Sequence, residues 1–101
     1  MTADTVHELF DLRHAFRLSE RSGALLQMLL ASRTVKTTEI AERFNQPPKQ
    51  ANYAVFRLRA RLETYGVTVD MMHGEGYYLT PAMKAHVQAL LDEVTKRSEA
   101  A

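Results

Sequence analysis

Apolar residues recur along most of this chain at helical spacing, and the pattern breaks in a few places that carry turn chemistry. From Asp4 to Arg17, Val6, Leu9, Phe10 and Phe16 fall near a 3.6-residue period, with the methylene stem of Arg13 completing the stripe, which predicts an amphipathic helix. A second helix is predicted through "ERSGALLQMLLAS". Ser19 is placed to cap its free amides, and Leu25, Leu26, Leu29 and Leu30 form an apolar stripe that should enter the core. "RTVK" is short and partly β-branched, as expected of a two- or three-residue strand. Thr37 or Thr38 then caps "EIAERF", whose Ile40, Ala41 and Phe44 form the buried face, while Glu39 sits at the positive end of the helix dipole.

"NQPP" ends that helix, because proline cannot continue a hydrogen-bond ladder yet suits the first turn of a new helix. The next helix is predicted from Pro48 to Tyr65, stopping at Gly66 as a left-handed cap. At 100° per residue, Ala51, Val55, Leu58 and Leu62 share one side, and Lys49, Tyr53, Phe56, Arg57, Ala60 and Thr64 lie opposite. Gln50 and Arg61 flank this outer face on one edge, Asn52 and Arg59 on the other. "VTVDMM" and "YYLT", joined through Gly74 and Gly76, read as a hairpin with "RTVK" as its third strand. Thr80 caps a final helix beginning at Pro81, striped by Met83, Val87, Leu90, Leu91 and Val94, and "RSEAA" is expected to fray.

The fold class predicted is therefore mainly α with a small antiparallel β-sheet, an α+β arrangement. One domain over 1–101 is expected, with an N-terminal helix in 1–17, a core in 18–80 and a C-terminal helix in 81–101. A chain of 101 residues buries one modest core and has too little surface for a second. There is no cysteine, which excludes a disulfide framework and a thiolate metal site. No apolar run approaches a membrane span, and "MTADTVHELF" lacks the pattern of a signal peptide, so a cytoplasmic protein with no membrane partner is expected.

Charge changes the picture, because the formal net charge of +1 hides segregation. Met1 to Ser32 nets −1 and Leu62 to Ala101 nets −3, while Arg33 to Arg61 holds seven basic residues against two acidic and nets +5. The basic middle third contains the helix–turn–helix pattern. A polyanionic partner is implied.

"LSERSGALLQMLLASRTVKTTEIAERF" followed by "VFRLRARLETYGVTVDMMHGEGYYLT" resembles the effector domain of the OmpR/PhoB-type response regulators over roughly Leu18 to Thr80. The features shared are a Leu-Ser start into a Leu-rich helix, the Arg57-Leu58-Arg59 run and the spacing to Gly74-x-Gly76-Tyr77. The resemblance implies a winged helix-turn-helix with extra terminal helices, acting as a bacterial, sequence-specific regulator of transcription bound to double-stranded DNA at the nucleoid. It implies that the 48–65 helix enters the major groove. Gln50, Asn52, Tyr53, Phe56 and Arg57 are then the base-contact candidates, and Arg33, Lys36, Thr38, Arg43, Lys49, Arg59 and Arg61 the phosphate-contact candidates. The hairpin 67–80 would be the wing, with His73, Gly74, Gly76 and Tyr77 at its tip and base, near the backbone or minor groove. Tyr77 would pack it against the recognition helix. Where the family carries a wing arginine this chain has His73, and Glu75 stands beside it. No receiver domain is present in the sequence. The terminal helices, through Leu9, Phe10, Val87, Leu90, Leu91 and Val94, are the candidates for a homodimer, since paired half-sites raise affinity and specificity, and the Met83 to Val94 stripe serves equally to close the core of the domain.

Other chemistry is poorly supported by the residues. His7, Asp11 and His14 fall at i, i+4 and i+7, but solvated positions beside an apolar stripe explain that spacing, and neither a metal nor another cofactor is expected. No nucleophile set or phosphate-cradling loop recommends an enzyme. The rivals are a winged-helix adaptor that binds protein, such as a regulatory or transcription-machinery partner, and a nucleoid-associated protein with little sequence preference.

Overall fold

The structure, a computed structural model, describes the backbone from Leu9 to Ala100 and the side chains from Asp11 to Val94. Its elements are α1 (Leu9–Phe16), α2 (Glu20–Ala31), α3 (Thr37–Phe44), α4 (Pro48–Glu63), β1 (Asp70–Met72), β2 (Gly76–Tyr78) and α5 (Pro81–Ala100). The protein is mainly helical with one small antiparallel sheet, as its sequence pattern predicts.

Local chemistry accounts for the ends of these helices. Ser19 caps α2 by accepting from the Ser22 amide at 3.2 Å, and Thr80 caps α5 by accepting from the Met83 amide at 3.1 Å. α3 departs from expectation. Its N-cap is Lys36, not Thr37 or Thr38, and the Glu39 carboxylate accepts from the Lys36 amide at 3.0 Å, so the acidic residue does the capping.

Two helices end in the same left-handed device. At Gly66 (φ +73°), the Val67 amide reaches Leu62 O at 3.2 Å and the Gly66 amide reaches Glu63 O at 3.1 Å. At Asn45 (φ +52°), Gln46 reaches Ala41 O at 2.9 Å and Asn45 reaches Glu42 O at 3.3 Å. α1 closes at Arg17, which holds φ +53° while Leu18 reaches back to Arg13 O at 2.9 Å.

The core lies between the helices. Leu12, Phe16, Leu25, Leu26, Leu29, Ile40, Val55, Leu58, Leu62, Val67 and Val87 are essentially inaccessible, and no charged or polar residue is buried among those described. Burying each such side chain contributes about 1.5–3 kcal/mol, so packing alone can hold this cysteine-free chain. α2 packs against α1 and α4, α4 against α3, and α1 against α5. Phe16 meets Tyr65 edge-to-face at 5.1 Å, tying α1 to the end of α4.

Several expectations are corrected. α1 buries Leu12 and Phe16, whereas Arg13 is exposed, because the inward stripe is set by the side facing α2 and α5. "RTVK" supplies no third strand: Val35 alone bridges Tyr77, by paired bonds of 2.7 and 2.8 Å, and the sheet has two strands. The strands themselves are shorter than predicted, because Val67, Val69 and Leu79 turn into the core. α5 is helical as far as Ala100. Val87 and Leu91 are core residues rather than a dimer surface, with Leu90 half-buried beside them. They are covered because the terminal helices close the core of their own chain. Leu9 and Phe10 lie outside the described side chains, as does His7.

Candidate nucleic-acid interface

The α3–α4 unit is built around a very short connection. Asn45 in the left-handed region turns the chain, Pro47 sits extended at ψ 153°, and Pro48 starts α4 where its missing amide is harmless. Pro47 O accepts from the Gln50 and Ala51 amides at 2.9 and 3.2 Å, so the first turn of α4 is closed immediately.

α4 then presents two opposite faces. Ala51, Val55, Leu58 and Leu62 are buried, and Lys49, Gln50, Asn52, Tyr53, Phe56, Arg57, Arg59, Ala60 and Arg61 are exposed. The outer ridge is partly aromatic. Tyr53 and Phe56 are 58% and 67% exposed, and their rings stack at 6.3 Å with 29° between planes. The Arg57 guanidinium lies over the Tyr53 ring at 5.6 Å, which holds this cation on the ridge without a carboxylate partner.

The hairpin is fixed to α4 by one polar junction. Asn52 Oδ1 accepts from Tyr77 OH and from Thr37 Oγ1, each at 3.2 Å, joining hairpin, α3 and α4 at a single atom. Gly76 (φ +115°) lets the hairpin approach closely, since a Cβ there would collide with the Val35 carbonyl. At the tip, the Glu75 amide reaches Met72 O at 2.9 Å across His73 and Gly74, and Gly74 has φ +84°.

One cleft runs along α4 and another lies under the hairpin. The larger, about 620 Å³, lies between the start of α2, the end of α3 and one side of α4, and includes Arg21, Ser22, Arg43, Gln50, Tyr53 and Arg57. The smaller, about 270 Å³, lies between the start of α3 and the hairpin, and gathers Lys36, Thr38, His73, Gly74, Gly76 and Tyr77. Most of the site residues expected from sequence thus fall on the α4 ridge or line one of these two clefts. Arg33, Arg59 and Arg61 are exposed but line neither cleft.

Sequence reasoning missed the α2 contribution. Ser19 is readable as a cap, but only the packing of α2 on α4 makes Arg21 and Ser22 part of the lining of the cleft that also holds Arg57. It also missed the role of Asn52, whose oxygen is committed inside the fold while its amide hydrogens remain available. Arg43 is held over Phe44 at 5.7 Å. Gln46 Oε1, in the wall of the larger cleft, is buried without a hydrogen-bond partner.

No protein-family model, curated protein or solved structure matches this chain. The site is therefore judged on its chemistry. Among the described residues no cluster of His, Asp and Glu is arranged to hold a metal, and no helix is long and apolar enough to cross a membrane.

Proposed function

We propose that this protein is a winged helix-turn-helix regulator that binds double-stranded DNA, with α4 in the major groove and the β1–β2 hairpin as its wing. The observation that carries the reading is the outer ridge of α4. Lys49, Gln50, Tyr53, Phe56 and Arg57 are exposed together on a helix whose other face is anchored by four buried residues.

An α-helix of this diameter fits the major groove, where Arg pairs with guanine edges, Gln with adenine edges, and aromatic or methyl surfaces meet the thymine methyl. Gln50, Tyr53 and Arg57 are assigned to base edges, with Phe56 toward a thymine methyl. Asn52 can reach a base only through its amide hydrogens. Lys36, Thr38, Arg43, Lys49, Arg59, Arg61 and Arg33 are assigned to phosphates on either side. His73 brings the wing tip to the backbone, and Glu75 beside it opposes deep entry into a groove. The resemblance to the OmpR/PhoB-type effector domain supports the same placement.

A single module of this kind buries roughly 600–1,000 Å² on DNA, so two copies on adjacent half-sites belong to the proposal. With Val87 and Leu91 in the core, Leu90 and Val94 are the partly exposed α5 residues left for that pairing. Action on transcription at the nucleoid follows from the same reading.

One observation favours a second reading, in which the ridge binds a protein. Tyr53, Phe56, Met71 and Met72 are the large apolar side chains most exposed among those described, and such residues are enriched at protein interfaces. The double substitution Gln50→Ala with Arg57→Ala separates the two. Under the DNA reading, duplex binding falls at least 100-fold while the thermal transition is unchanged; unchanged duplex affinity rejects the assignment of α4.

A further inference from the structure

The larger cleft has a composition that duplex recognition does not require. Arg21 on α2, Arg43 on α3 and Arg57 on α4 line one open cleft of about 620 Å³, and Glu20 is the acidic residue among its lining. Arg43 and Arg57 are held over the rings of Phe44 and Tyr53 at 5.7 and 5.6 Å, positions that leave their N–H groups free to donate. The start of α2 adds backbone amides: Ser19 takes up the one at Ser22, and the dipole there favours an anion.

Three guanidinium forks lining one cleft, each from a different helix, offer more donors than one carboxylate can accept. A phosphoryl group, with several acceptor oxygens and close to two negative charges, matches them. The volume lies within the ~300–1,000 Å³ typical of small-molecule sites, well beyond what inorganic phosphate fills. A planar ring would meet the guanidiniums held over Phe44 and Tyr53, which can themselves stack on an aromatic face. Gln46, whose Oε1 has no partner where it stands, loses no hydrogen bond at that oxygen by turning its carboxamide toward a ligand.

We infer that this cleft binds a small phosphorylated molecule of nucleotide size, and that its occupancy excludes duplex DNA. Binding itself stands on the cleft. Exclusion rests on the DNA reading, because Gln50, Tyr53 and Arg57 belong both to the cleft and to the proposed recognition ridge.

The test is an amide chemical-shift titration of the full chain with ATP in metal-free buffer at constant ionic strength, with inorganic pyrophosphate as a second arm. The expected result is saturable shifts concentrated at Arg21, Ser22, Gln46 and Ala54, with ATP binding at least five-fold tighter than pyrophosphate. Arg21→Ala, an exposed position not assigned a direct DNA contact, should weaken ATP at least ten-fold and duplex DNA no more than about two-fold. Saturating ATP should lower the duplex affinity of the unaltered protein at least ten-fold, and that of the Arg21→Ala protein far less.

Non-saturating shifts spread over Arg33, Lys36, Arg59 and Arg61 would overturn the site, as would equal binding of the two probes or an Arg21→Ala protein with undiminished ATP affinity. Duplex binding that ignores saturating ATP would overturn the exclusion while leaving the DNA reading intact. A protein that binds ATP at the cleft but no duplex would instead overturn the DNA reading and leave the site standing.

Discussion

The Tyr77 hydroxyl meets the Asn52 carboxamide oxygen at 3.2 Å, and through that contact the hairpin is registered on the exposed side of α4. Thr37 donates to the same oxygen, so three elements share one acceptor. Tyr77→Phe removes a donor without removing the ring. A stability loss of only about 0.5–1 kcal/mol is expected, as for a solvent-accessible hydrogen bond, measured by denaturant unfolding. Duplex affinity should fall more than this suggests, roughly three- to ten-fold, because the wing loses its register on α4.

Gly74 and Gly76 flank Glu75 at the hairpin turn, and they differ in what an added side chain would meet. Gly76→Ala both forces a positive-φ residue to carry a side chain and drives that side chain into the Val35 carbonyl, so a loss of roughly 2 kcal/mol or more is expected. Gly74→Ala meets open space and suffers only the backbone term, about 1 kcal/mol. Equal losses at the two positions, read from urea midpoints, would show that the Val35 approach is not a constraint.

Arg17 closes α1 in a left-handed conformation that an ordinary side chain resists. Arg17→Gly should therefore raise stability by about 0.5–1 kcal/mol, one of the few substitutions here expected to stabilise. A lower melting temperature in that variant would contradict the αL assignment.

α2 has no basic residue in its last turn, and Lys84 of α5 supplies one by donating to Ser32 O at 3.0 Å. Lys84→Met keeps the stem and removes the charge. A loss of about 1 kcal/mol is expected at low salt, and less as ionic strength rises.

How far the sequence reaches depends on whether a feature is local. The α4 stripe, the Gly66 stop, the Ser19 and Thr80 caps and the hairpin are readable because each is decided by residues within one or two turns. Arg13 is exposed where the period places it on the buried face of α1, and burial of Val87 and Leu91 decides between the core and dimer readings of the α5 stripe, because a helical period gives a stripe but not the neighbour that covers it. Val35 has strand chemistry but meets only one partner residue, since β2 turns inward at Leu79. The exposed ridge of α4 is visible from 100° spacing alone. Arg21 in the cleft and Asn52 at the hairpin junction are not, because both depend on contacts between elements far apart in the chain.

The most direct measurement is fluorescence anisotropy of labelled genomic-fragment and random-sequence duplexes across a salt series. If α4 reads DNA, affinity falls steeply and log-linearly with salt, some fragments are held at least 100-fold more tightly than random duplex, and Gln50→Ala with Arg57→Ala erases that preference. A weak response at low salt that is the same for every duplex would contradict DNA recognition, and would assign the exposed Tyr53–Phe56 ridge to a protein partner.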